Sequence, residues 1–155
     1  MRNLVRQEPE RHRRLFSDIV LPGALAGWIG GAITVVVAMI LSALFASGPW
    51  WPAELVGGVL RGWGSPSLRV LWGLVIHVGG AMGLGVAFSF MLPRRGTAVA
   101  ALLLGVGFAL VLYVVEPLVL PFASPALARA NPTMALFALQ LIFGATLGLV
   151  PRFRV

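Results

Sequence analysis

The sequence predicts an all-α membrane protein, a four-transmembrane-helix bundle with both ends of the chain on the inner side. Three observations carry that prediction. The 155-residue chain is 59% hydrophobic and 11% charged, with a mean hydropathy of +0.94, whereas soluble domains carry roughly 25% charged residues. Its apolar residues gather into four stretches, 21–46, 68–92, 97–116 and 134–150, each close to the ~20 residues that cross a hydrocarbon core. All 12 basic residues are arginine, and nine of them (Arg2, Arg6, Arg11, Arg13, Arg14, Arg94, Arg95, Arg152 and Arg154) fall just outside those stretches.

The arginines also set the expected orientation. With the N-terminus inside, those nine share one face and only Arg61, Arg69 and Arg129 lie on the other. The positive-inside rule then makes both termini cytoplasmic in a bacterial inner membrane. Arg13, Arg14, Arg94, Arg95, Arg152 and Arg154 become candidates for contact with anionic headgroups. A net charge of +7 does not imply nucleic acid, because these residues flank spans instead of forming a continuous basic patch. The absence of cysteine excludes disulfides, Cys-ligated zinc and Fe–S clusters.

In chain order, residues 1–20 form a basic tail. The run Glu10–Phe16 suits a short helix on the membrane surface. Ser17 or Asp18 is the expected N-cap of the first span, with Pro22 in its first turn. That span is too long for a signal-peptide core, and Leu44 at the −3 position spoils cleavage after Ala46. It therefore reads as an uncleaved helix. Gly23, Gly27, Gly30 and Gly31 recur on one face, where close backbone approach drives helix association in lipid. Residues 47–67 carry Trp50, Trp51 and Trp63, indoles expected at the headgroup level. Pro52-Ala53-Glu54 starts a short helix reaching about Leu60.

The second span opens at Ser65-Pro66, closes at Pro93-Arg94-Arg95 and carries His77. The third is expected to end at Pro117 and Pro121, because an interior proline removes a helix hydrogen bond. Residues 117–133 follow, with Ser124-Pro125 opening another short helix. The fourth span is the shortest, and residues 151–155 are a cytoplasmic tail.

The halves look alike. Ser65-Pro66 and Asn131-Pro132 open the second and fourth spans, and Gly80-Ala81-Met82-Gly83-Leu84-Gly85-Val86 resembles Gly144-Ala145-Thr146-Leu147-Gly148-Leu149-Val150. The two matches differ in register by nearly a turn. The layout is that of two repeated helical hairpins related by an axis along the membrane normal, although membrane helices are rich in Gly and Pro anyway. Gly27, Gly30, Gly31, Gly80, Gly83, Gly144 and Gly148 are the candidate packing residues. The Gly-rich first span, the Pro-containing outer loop and His77 followed by Gly80 and Gly83 resemble the YagU-like group of small bacterial inner-membrane proteins. That resemblance covers most of the chain by layout; Gln140 stands in the fourth span with no histidine there. It implies a topology and no mechanism, since the group's function is not established.

Ionisable residues inside a span are costly and are functional candidates. Counting 1.5 Å per residue, His77 lies about 10 Å below the outer boundary and Gln140 about 9 Å. Tyr113 and Thr34 fall near the same depth. The sequence thus predicts a polar layer of Thr34, His77, Tyr113 and Gln140, with Glu116 about one turn above at a helix C-terminus. There Glu116 would pair with Arg61, Arg69 or Arg129, or hold a proton, and would be too shallow for proton-coupled export. The plainer reading of the layer is interhelical hydrogen bonding, worth about 0.6 kcal/mol per bond.

Enzymatic motifs are lacking, and no cofactor or metal is expected. One membrane histidine could ligate haem only with a partner chain. The leading functional expectation is a non-enzymatic accessory or assembly subunit, packing through small-residue faces against other integral membrane subunits or itself. The alternatives are a small oligomeric transporter or channel using the polar layer, and a haem- or quinone-associated electron-transfer subunit.

Overall fold

The computed structural model describes residues 15–45, 48–60, 65–93, 97–123, 125–130 and 133–154. A π-helical turn, Phe16–Val20, leads into α1, Leu21–Phe45. There follow α2 (Trp51–Gly57), α3 (Pro66–Met91), α4 (Ala98–Ala123), α5 (Pro125–Ala130), α6 (Thr133–Leu147) and α7 (Val150–Phe153). Four helical runs, Phe16–Phe45, Pro66–Met91, Ala98–Phe122 and Met134–Phe153, are long and apolar enough to cross a membrane. The protein is a multi-pass helical bundle. We call the end where α1 and α4 begin basal, and the end carrying α2 and α5 apical.

Several boundaries differ from expectation. Ser17 and Asp18 do not cap α1, because Leu15 before them is already helical and the chain passes through both in the π-turn. Ser17 Oγ instead donates to Asp18 Oδ1 at 3.0 Å. The widened turn has a local cause. Pro22 has no N–H to return to the Asp18 carbonyl, and the Leu21 N–H reaches back one residue further, to the Phe16 carbonyl. At the apical end α1 is turned by Gly48, whose φ of 114° favours glycine, and Ser42 Oγ donates to the Gly48 carbonyl at 2.7 Å. The short helix α2 ends at Gly57, earlier than Leu60.

The largest difference is in the third span. Pro117 and Pro121 lie inside α4, which runs on to Ala123. Each proline costs one i→i−4 bond, freeing the carbonyls of Tyr113 and Pro117 without stopping the helix. Glu116 is therefore not at a C-terminus. With 1.5 Å per residue it sits about 10 Å short of the end of α4. The fourth span also gains length. After Leu147 two turn residues, Gly148 and Leu149, hydrogen-bond back to Ala145 and Thr146, and α7 continues the path to Phe153.

Packing produces two antiparallel hairpins, α1 against α3 and α4 against α6, joined along α1 and α6. Each hairpin closes on small residues. A Cβ on Gly27 would fall on the Ala81 carbonyl, and one on Gly85 would meet the Gly23 carbonyl. In the second hairpin Gly105 and Gly144 oppose each other's carbonyls, and Gly148 lies against Leu102. Gly30 faces Phe143 and Thr146, so it serves the contact between hairpins. Gly31 meets Ala81.

Gly80 and Gly83 depart from expectation, since an added Cβ at either meets nothing within 4 Å. The small residues of α3 that pack against α1 are Ala81 and Gly85, one register step away from the sequence match to Gly144 and Gly148, while Gly73 closes on the Ala53 carbonyl of α2.

The hairpin symmetry is broken at one place. A two-fold axis that pairs α1 with α6 would also pair α3 with α4, but these two do not pack along each other. They meet at the basal end, where the Phe88 and Phe108 rings are 5.7 Å apart. The buried cluster lies there too, built on Phe88, Leu92, Ala101, Leu147 and Val150. A dense basal half and a gap between α3 and α4 toward the apical end position the site.

Candidate functional site

The gap holds two adjoining cavities of ≈ 470 Å³ and ≈ 440 Å³. The first lies toward the apical end, under Trp51, Ala53 and Val56 of α2 and beside Leu127 of α5. The second lies between α3 and α4, with Thr34, Gln140 and Phe143 among its lining residues. His77, Glu116, Leu136 and Leu139 line both. Leu84, Val115 and Val119 line the second and are themselves exposed, which marks the side opening between the helices. The walls are aliphatic apart from a handful of polar groups, the usual character of a small-molecule site, and each volume falls within the ~300–1,000 Å³ typical of one.

Apart from Ser42, which is bonded to the Gly48 carbonyl, and the Trp51 indole, the polar side chains form two pairs, one in each hairpin. In the first, Thr34 Oγ1 on α1 lies 3.1 Å from His77 Nε2 on α3. The same hydroxyl is 2.9 Å from the Gly30 carbonyl and 3.1 Å from that of Gly31. It has one proton to give. When that proton goes to the helix carbonyl, the imidazole must be the Nε2–H tautomer and donate to Thr34. Thr34 is only 5% exposed, so this pair locks the ring against α1. In the second hairpin, Gln140 Nε2 on α6 donates to Glu116 Oε2 on α4 at 2.8 Å. Among the described residues no cation stands within ion-pair distance of Glu116. Arg69 and Arg129, two of its expected partners, are exposed.

The chain matches no protein-family model, no curated protein and no solved structure. The site must be read from its own geometry.

Of the expected polar layer, the structure brings Thr34, His77, Gln140 and Glu116 to the cavity walls and leaves Tyr113 aside. The Tyr113 ring meets Phe137 edge-on, with centroids 5.3 Å apart, and it lines neither cavity. The reason is angular. On α4 the cavity face is Leu112, Val115, Glu116 and Val119, the i, i+3, i+4, i+7 set that shares one side of a helix. Tyr113 is one residue off that row. Glu116 takes its place, and being well inside the span it is no longer too shallow to act there.

Among the described residues no group of three His, Cys, Asp or Glu side chains is gathered that could hold a metal.

The basic residues divide differently from expectation. Arg13, Arg14, Arg94, Arg95 and Arg61 lie outside the described residues, as do Trp63 and the tail segment 10–14. Arg152 is exposed. Arg154 is engaged with the protein: its guanidinium donates to the carbonyls of Ser89 (2.8 Å), Pro93 (3.0 Å) and Leu92 (3.3 Å). It caps the C-terminus of α3, where helix carbonyls are otherwise unsatisfied. The sequence holds little signal for this, because the two partners are 65 residues apart. Trp50 is half exposed at the apical end, whereas Trp51 turns inward to line the first cavity.

Proposed function

We propose that this protein is a small integral membrane protein that holds an amphiphilic small molecule, taken from the bilayer, in the space between its two hairpins. The observation that carries this reading is the unclosed face between α3 and α4. It leaves a cavity that is aliphatic along its walls, open at the side, and supplied with two oriented polar pairs at His77 and Glu116. Such a site suits a ligand with an apolar body and one polar group.

Purification from native membranes in mild detergent tests it. A small molecule should be extractable in about one copy per chain, and Leu139→Trp, which puts an indole into the shared wall, should lower that yield several-fold without loss of monodispersity. Equal recovery from both proteins would refute the reading.

A second reading, the accessory subunit, draws on a different observation. Gly79, Gly83 and Gly107 have open space beside them and line neither cavity, so small-residue surface remains for another helix. The same purification separates the two, since this reading expects a stoichiometric polypeptide to accompany the chain. For localisation, the arginine distribution supports a bacterial inner membrane with the basal end in the cytoplasm, testable with reporter fusions at the C-terminus.

A further inference from the structure

The cavity walls contain one acidic side chain and no arginine: Glu116 and His77 are their only titratable groups among the described residues. That asymmetry bears on the charge of the ligand. An anionic head would face a carboxyl group that no described cation neutralises. A neutral head would find hydrogen bonds but leave the carboxyl with a single amide partner, Gln140. A cationic head supplies a counter-charge that none of the described residues provides. An ionised carboxylate in an apolar wall is stable when a cation stands beside it and additional hydrogen bonds hold it in place. Gln140 already provides one such bond.

The kind of cation is narrowed by the surroundings. A compact ammonium is strongly hydrated and loses much on entering aliphatic walls, whereas a delocalised or shielded cation loses less. Trp51, which shares the first cavity with Glu116, adds an indole, the aromatic side chain that attracts such cations most strongly. The side opening between α3 and α4 admits a molecule already dissolved in the bilayer.

We infer that the cavity selects lipophilic organic cations, with Glu116 as the group that recognises the charge. This rests on the cavity being a binding site, and the test separates the two claims. Tetraphenylphosphonium and tetraphenylborate have nearly the same size and shape and opposite charge. Their binding to the wild-type chain, Glu116→Gln, Glu116→Asp and Leu139→Trp is measured by equilibrium dialysis in nanodiscs, with bare nanodiscs as the partition reference. Thermal unfolding of each variant confirms that it is folded.

The expected result is saturable binding of the phosphonium by the wild type, weakened on the order of tenfold or more in Glu116→Gln and retained in Glu116→Asp. The borate should show no protein-dependent binding to the wild type. Leu139→Trp should abolish phosphonium binding. If both ions bind the wild type alike, Glu116→Gln changes neither and Leu139→Trp weakens both, the inference of charge selection is overturned while the cavity reading stands. If Leu139→Trp alters nothing, the cavity reading falls and takes the inference with it.

Discussion

Removing the guanidinium of Arg154 should unfasten the end of α3. Arg154→Ala deletes charge-assisted bonds to the carbonyls of Ser89, Leu92 and Pro93 and a long one, 3.4 Å, to Ser89 Oγ. They are not equal. The 2.8 Å bond to Ser89 is part-buried, in a helix turn whose Ser89 side chain is 1% exposed; a hydrogen bond to a charged group is worth about 1.5–3 kcal/mol there. The Pro93 bond is exposed, and water replaces most of it. The bond to Leu92 is long. A cation at a helix C-terminus adds about 0.3–1 kcal/mol. The expected loss is about 2 kcal/mol, read from reversible SDS unfolding of the detergent-solubilised protein by far-ultraviolet circular dichroism. Arg152→Ala removes the same charge from the same turn but from an exposed side chain, and should cost less than about 0.5 kcal/mol. Arg154→Lys should fall between the two, because it keeps the charge and loses the planar fork. Equal effects of Arg154→Ala and Arg152→Ala would refute the capping argument and return Arg154 to a general interfacial role.

Two further expectations concern the hairpins. Gly27→Val places a branched side chain on the Ala81 backbone and should destabilise the α1–α3 contact by about 3 kcal/mol or more, whereas Gly83→Ala meets open space and should stay within about 0.5 kcal/mol; both are read in the same unfolding assay. A double-mutant cycle of Thr34→Val and His77→Ala should give a coupling near 0.6 kcal/mol and below about 2, and a coupling of zero would mean that the two side chains do not act as a pair.

The sequence made the spans legible because hydropathy over twenty residues is a property of composition alone, and no packing detail alters it. What it hid was rotation. In α3 and α4 nearly every residue is apolar, so no polar stripe marks a solvent side, and a depth count cannot tell which side chains share a face. The usable marker was the polar residue itself. Taking Glu116 as a reference and stepping three or four residues gives Leu112, Tyr113, Val119 and Leu120, and all but Tyr113 line the cavities. The same steps from Gln140 give Leu136, Phe137, Phe143 and Gly144, of which Leu136 and Phe143 line the second cavity. Neither the depth count nor the helical step excludes Tyr113, which turns to Phe137 instead of the cavity. The prolines misled for a related reason. In water a freed carbonyl and a lost N–H bond end a helix readily, but inside lipid an unwound segment would expose several more unsatisfied groups, so the helix carries Pro117 and Pro121 through. Arg154 could not have been placed by any local rule, because its role depends on where α7 comes to lie beside α3.

On the proposed reading the opening between α3 and α4 faces the acyl chains, which alters what an affinity for this protein means. Such a ligand would be dilute or concentrated according to its mole fraction in lipid, with water only a distant reservoir. Adding one methylene to such a compound raises its partition into the membrane by about 0.8 kcal/mol, close to fourfold, before any contact with the protein is made. Dissociation constants expressed per litre of buffer would therefore improve steadily with chain length even for a cavity indifferent to it, and would worsen in proportion as more lipid is added. Expressed per mole of lipid, the same measurements would level off at the length the space between the hairpins can hold.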